Sequence, residues 1–260
     1  MSSITPIRVA ALLVALTLSG VAAACGGGLF GRTYEYEEDV YVSLDGSAEL
    51  IVNASIPALV ALRGIDLPVD SAARLDPDRI RAVYTSPLTE VTRVSRFWRR
   101  QGRRYVQVRL RVADIRKLGE VAPFSWSTYE QAEKDGLMVY RQTIGKSALR
   151  PGTLQNFGWS GGELVAFRLH MPSRISYHNA RDLETNETSD IARGNILSWE
   201  QHLTDRLDGR PLVLEVKMDR QSILHRTLWL FAGAFVAAVT LIGALIWLTI
   251  RKGAKEGDAA

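Results

Sequence analysis

The chain has 260 residues, 47% of them apolar and 23% charged, which excludes a disordered chain and allows one large domain or two small ones. A formal charge of +4 is mild for this length, so the placement of charge carries more meaning than its sum. The single cysteine, Cys25, excludes an internal disulfide.

Residues 1–24 read as a secretion signal. Arg8 precedes an apolar stretch running from Val9 to Leu18, and the small residues Gly20, Ala22, Ala23 and Ala24 follow. A charged start, an apolar middle and an A-x-A end are the three parts of a signal peptide. The apolar run is shorter than the ~20 residues a spanning helix needs. An uncleaved signal anchor is the alternative, and it leaves the following domain on the same side. Cys25 sits where cleavage would place it first, ahead of Gly26, Gly27 and Gly28. This resembles a bacterial lipobox, with Ala22 where that motif usually carries leucine, and implies lipidation at Cys25. Ala22-x-Ala24 serves ordinary signal peptidase as well. Residues 25–33 form a glycine-rich tether.

Residues 34–221 are expected to form one extracytoplasmic domain dominated by period-two alternation. Val40 and Val42, then Leu50, Val52 and Ala54, flank Asp45-Gly46, a strong hairpin signal because that turn wants positive φ at both central positions. Ile56-Pro57 opens a short helix that stops at Gly64, and Asp76-Pro77 caps a second one. Asp114 opens a third, through Leu118. The stretch from Glu90 to Arg99 pairs with that from Tyr105 to Val112 around Gln101-Gly102. Phe124 to Tyr129 pairs with Leu137 to Ile144 around Asp135-Gly136. Alternation returns at Val165, Phe167 and Leu169, at Leu197 and Trp199, and at Leu212, Leu214 and Val216. The fold class is α+β: an antiparallel sheet built from hairpins, with a few short helices on its other face. The segment from Lys146 to Gly162 is the place where two subdomains would divide.

Residues 227–250 contain no charge and are long enough to cross a ~30 Å hydrocarbon core, with Trp229 and Trp247 near the two interfaces. Arg251, Lys252 and Lys255 follow, so residues 251–260 read as a basic cytoplasmic tail and the main domain as extracytoplasmic. Small residues at Gly233 and Ala237, and at Ala234 and Ala238, permit close helix pairing.

With its secreted start, the Asp45-Gly46 hairpin, a short Pro-led helix, the late strand from Asn195 to Glu200, a spanning helix and a basic tail, the chain resembles the LppM-type bacterial envelope lipoprotein domain. That resemblance implies an extracytoplasmic α+β domain with affinity for lipids or glycolipids, and supplies no catalytic residues.

No catalytic residue, metal ligand or cofactor is expected from the residues themselves. Gly158-Trp159-Ser160-Gly161-Gly162 matches the nucleophile-elbow pattern of a serine hydrolase, but lacks a strand before it and a helix after it, and so reads as a glycine-rich turn. His170 and His178, eight positions apart with no cysteine partners, read as surface histidines. The feature that asks for a partner is a basic hairpin: Arg93, Arg96, Arg99, Arg100, Arg103, Arg104, Arg109, Arg111, Arg116 and Lys117, interleaved with Phe97, Trp98 and Tyr105. Outside the membrane nucleic acid is not the expected partner. Arginine grips phosphate bidentately and amphipathic rings settle at interfaces, which favours anionic lipid or glycolipid headgroups held by Arg96, Trp98, Arg99, Arg100, Arg103, Arg104 and Tyr105. The alternatives are an envelope protein partner, or a solvated face whose charge is balanced by Glu35, Glu37, Glu38 and Asp39.

Overall fold

The computed structural model describes residues 32–70, 72–149 and 157–257; the expected secretion signal, Cys25 and all but the end of the expected tether lie outside the described residues. Alternation on either side of Asp45-Gly46 builds the first hairpin, in which β1 (Tyr34–Val42) and β2 (Ala48–Ser55) pair antiparallel. Its turn differs from the expected two-residue form. Only Gly46 takes positive φ, and the loop closes through Ser43 N–H to Ser47 O, with the Asp45 carboxylate accepting from Ser47. The two-residue geometry occurs instead at Gln101-Gly102 and Asp135-Gly136, where both residues of each pair have positive φ.

Ser55 ends β2 and caps α1 (Ile56–Arg63) by accepting from Ala58 N–H, and Gly64 closes that helix in the left-handed conformation. Helix α1 is buried almost all round, since it plugs the inner face of the sheet. Asp76 caps α2 (Pro77–Tyr84), whose Ile80 and Tyr84 are buried. Strands β3 (Thr89–Val94), β4 (Trp98–Arg100) and β5 (Arg103–Val112) form the basic hairpin. The helix expected after Asp114 is a 3-10 turn, Ile115–Glu120, with Asp114 accepting from Arg116 N–H.

A second 3-10 turn at Ala122–Phe124 delays the next strand, so β6 is Ser127–Lys134 rather than a strand from Phe124. It pairs with β7 (Leu137–Ile144) as expected. Then follow β8 (Leu164–His170), β9 (Ile175–His178), β10 (Ile196–His202), α3 (Leu203–Leu207), β11 (Leu212–Met218) and the long helix α4 (Ile223–Gly257).

The strands make two sheets. One has the order β10-β8-β1-β2-β5-β3, with β4 also on β5; the other is β6-β7-β11-β9. Among the described residues all strand pairings are antiparallel except β1 with β8. The chain after residue 162 returns to both sheets, so Lys146 to Gly162 does not divide two subdomains. The sheets meet face to face, Gln142 on β7 donating to Glu38 on β1 and Gln131 on β6 to the Ser43 carbonyl. One apolar cluster runs between them, from Tyr36, Val40 and Leu50 through Phe167 to Tyr140, Leu214 and Val216.

Register fixes which end of the first sheet carries what. Tyr41 lies beside His170, Val42 opposite Ala48, and Ala48 opposite Val112. At this end β8 stops, and two residues on the Pro172 carbonyl accepts from Ile223 N–H, the start of α4. Tyr34, Ser55 and Tyr105 mark the opposite end, beyond which the Gln101-Gly102 turn projects. At ~3.3 Å per residue, the turn stands roughly 30 Å along the strands from the level at which α4 begins.

Within α4, Thr227–Trp247 is 21 residues long with a mean hydropathy of 2.3, and none of it is buried against the domain. At 1.5 Å per residue that length is about 31 Å, enough to cross a bilayer core. Thr240 donates its hydroxyl to the Val236 carbonyl, leaving no hydroxyl hydrogen unpaired on an apolar surface.

The backbone approach at Gly145 is tight enough to predict a mutational effect. Gly145 N–H donates to the Trp126 carbonyl at 2.6 Å, and a Cβ on Gly145 would lie 2.6 Å from that same oxygen. Gly145→Ala therefore pushes two backbone segments apart, and a thermal melt of the variant should show a loss of about 1–3 kcal/mol.

Candidate functional site

The basic hairpin is built from opposed arginines. Arg99 faces Arg104, Arg100 faces Arg103, and beyond a bulge Arg93 faces Arg109. Like charges directly opposite each other weaken a strand pair, so this arrangement needs compensation. For Arg103 it comes from carboxylates. Its Nε donates to Glu35 at 2.9 Å, its Nη1 to the Gly158 carbonyl at 2.7 Å, and Glu163 lies 3.6 Å from its Nη2. Glu35 also accepts from the Tyr105 hydroxyl and from Trp159 Nε1. Burial, the largest single influence, would lower the Arg103 pKa, but Glu35 and Tyr105 together outweigh it and the value is raised. Burial and the bond to Glu35 raise Tyr105.

Arg104 turns the other way. It donates to the Ala73, Asp70 and Pro68 carbonyls and so pins the loop that carries them against the hairpin. Burial, and then Arg99 across the ladder, lower its pKa.

The structure thus divides the seven residues that the sequence groups together. Arg103, Arg104 and Tyr105 are committed to internal contacts that hold the hairpin to the domain. Arg96, Trp98, Arg99 and Arg100 lie on the surface. The Trp98 ring stacks on Tyr105 at 5.8 Å and remains 38% exposed. The Arg96 guanidinium has no hydrogen bond or ion pair among the described residues. Further along, Arg111 approaches Glu90 at 3.6 Å, and Arg116 pairs with Asp114 at 2.7 Å.

The acidic run does not neutralise this surface. Glu35 takes Arg103, Glu37 and Asp39 take Arg168 on β8, and Glu38 faces the interior, where it takes Arg63. Alternation along β1 explains the split, because Glu35, Glu37 and Asp39 share the outer face while Tyr36 and Glu38 share the inner one.

That inner face holds a polar cluster which the sequence pattern does not announce. Glu38 accepts from Tyr36 Oη at 2.7 Å, Arg63 Nη2 at 2.6 Å and Gln142 Nε2 at 3.0 Å. Arg63 also donates to Tyr36 Oη, and its guanidinium carbon lies 3.6 Å from the Trp126 ring centre. Burial pushes the Tyr36, Tyr84, Tyr129 and Tyr140 hydroxyls up, so all four stay protonated at neutral pH. Glu38 falling on an apolar stripe of β1 was the one signal that could have pointed here.

Ser160 lies in an irregular segment, with no strand among the described residues 157–159 before it and with β8 after it. Its hydroxyl and N–H, together with Gly161 N–H, donate to the Glu163 carboxylate. Burial would raise the Glu163 pKa, but these donors outweigh it and hold the value below the usual carboxylate range. A depressed carboxylate stabilises the fold at pH above its unfolded value and ceases to do so as pH falls through its folded one. Glu163→Gln should therefore flatten the acid limb of a stability–pH curve below about pH 4. His170 stacks on Tyr41 at 3.8 Å, and burial lowers the His178 pKa. Among the described residues no three His, Cys, Asp or Glu side chains are grouped so as to hold a metal ion.

The folded domain of the LppM protein of Mycobacterium tuberculosis, solved by NMR, aligns with this structure at a TM-score of 0.38 and 9% identity, over 74% of this chain and 94% of that one. This is a distant structural similarity. No protein-family model matches the chain, and no curated protein matches it.

Proposed function

We propose that this chain is a single-span envelope protein whose α+β domain is held outside the cytoplasmic membrane and binds anionic lipid or glycolipid headgroups, without catalysing a reaction. The observation that carries this reading is the ladder of opposed arginines on β3, β4 and β5, kept despite its repulsion and topped by a partly exposed tryptophan. Anions between such side chains relieve the repulsion, and an indole beside them suits a headgroup interface. Orientation rests on the basic residues after Trp247 and on the N-terminal secretion signal. Because the Gln101-Gly102 turn stands away from the start of α4, the bound headgroup belongs to a lipid or glycolipid presented from outside the anchoring bilayer. A docked envelope protein is the second reading, favoured by that same separation.

The test uses the full chain in nanodiscs of neutral lipid, mixed with free vesicles containing phosphatidylglycerol. Capture of the vesicles by the native chain, and its loss in Arg96→Glu/Arg99→Glu/Arg100→Glu, supports lipid recognition. Equal capture by both proteins, or capture by neither, overturns it.

A further inference from the structure

The interior beside Trp126 carries more positive charge than it can match. Arg206, on α3, is fully buried, and its Nε, Nη1 and Nη2 have no hydrogen-bond partner among the described residues. Its guanidinium carbon lies 5.9 Å from the Trp126 ring centre, and that of Arg63 lies 3.6 Å from the same ring. Arg63 spends only Nη2, on Glu38 and Tyr36; its Nε and Nη1 are also buried without partners. Trp126 Nε1 is a further buried donor in the same condition. Six unmet positions on three neighbouring side chains are all donors, and none of them can accept.

Charge points the same way. Arg63 has Glu38, which also accepts from Tyr36 and Gln142, whereas Arg206 is paired with no carboxylate among the described residues. Burial and the nearby Arg63 pull Arg206 down to about 10, which leaves it protonated at neutral pH. Water could meet the N–H groups but would leave the charge uncompensated in a low-dielectric interior. An oxyanion meets both demands, because planar guanidinium forks match carboxylate and phosphate oxygens in pairs.

We propose that the interior between α1, α3 and Trp126 is a binding site for one oxyanionic group, a phosphate or a carboxylate, held by Arg206 and Arg63 with Trp126 Nε1 as a further donor. This site is separate from the basic hairpin: Arg63 and Arg206 belong to the helices beneath the inner face, whereas the hairpin arginines lie at the tip and outer face of the first sheet. The group has two conceivable sources, a free anion or the headgroup of a lipid drawn into the domain.

Full-length protein purified in neutral detergent is denatured and partitioned between chloroform–methanol and water, and both phases are analysed by mass spectrometry for phosphate- and carboxylate-bearing species. In parallel, melting is followed with added inorganic phosphate at fixed ionic strength. Native protein should release a stoichiometric anion, or melt higher with phosphate, and Arg206→Met should do neither. Release into the aqueous phase identifies a free anion, and release into the organic phase a lipid headgroup. Arg206→Lys keeps the charge without the fork and should retain a reduced amount, so it replaces the methionine variant if that one fails to accumulate. Equal release and an equal phosphate response in native and variant proteins, including no release and no response in either, would show that Arg206 is satisfied by water alone and overturn the proposal.

Discussion

Glu38→Ala should lower the stability of the domain by about 3–5 kcal/mol, because it strands a buried guanidinium. The Glu38 and Arg63 side chains are 0% and 1% exposed, and their 2.6 Å contact gives Arg63 its only carboxylate among the described residues. Tyr36 and Gln142 lose their acceptor at the same time. With Arg206 nearby, the interior then holds two cations and no counter-charge from Glu38. For a domain of this size a kcal/mol corresponds to a melting shift of about 2–4 °C, so the fall should be roughly 10 °C. Glu38→Gln keeps the shape and loses the charge, and should fall between the native protein and Glu38→Ala. A melt of Glu38→Ala within about 2 °C of the native protein would mean that Arg63 finds another partner.

The second large effect concerns binding. A basic side chain near an anionic surface contributes about 1 kcal/mol, so reversing Arg96, Arg99 and Arg100 should weaken capture of phosphatidylglycerol vesicles by at least about 100-fold. These three are exposed, so the melting temperature should barely move. The contrast with Arg103 is informative. Arg103→Glu would place a carboxylate against Glu35 and Glu163 and damage the fold, so loss of binding in that variant would say nothing about headgroups. Native capture should also weaken as salt rises, since the screening length shrinks from about 10 Å at 0.1 M to about 3 Å at 1 M. Binding by the native chain that ignores salt would point to the protein-docking reading.

Much of the fold was legible because local rules sufficed. Ser55, Pro57 and Gly64 bound α1, Asp76 and Pro77 open α2, and alternation marked β1, β2, β5, β7, β8 and β11. What periodicity could not supply was the partner of each strand. The parallel pairing of β1 with β8 joins residues more than a hundred positions apart, and the separation into two sheets depends on which faces pack together. Strand β9 and helix α3 are too short to show a period.

The site was half legible for the same reason. Composition groups ten basic residues in one stretch, but alternation and turn geometry decide which of them reach water. Arg103 goes to Glu35, 68 positions earlier, and Arg104 to backbone carbonyls more than thirty positions earlier, and neither link leaves a local trace. The Glu38–Arg63–Arg206 interior was hidden because an acidic residue on an apolar stripe looks like noise until its partners are seen.

The proposed topology requires that the basic hairpin stand away from a bilayer crossed by the apolar helix Thr227–Trp247. Cys25 is the only native thiol, so with Cys25→Ser a single fluorophore can be attached through Gln101→Cys or Gln221→Cys and its quenching by headgroup spin labels compared in neutral nanodiscs. Strong quenching at position 221 and almost none at position 101 is the expected result. Comparable quenching at both positions would mean that the hairpin lies on the same membrane as the apolar helix, and would overturn the proposed topology.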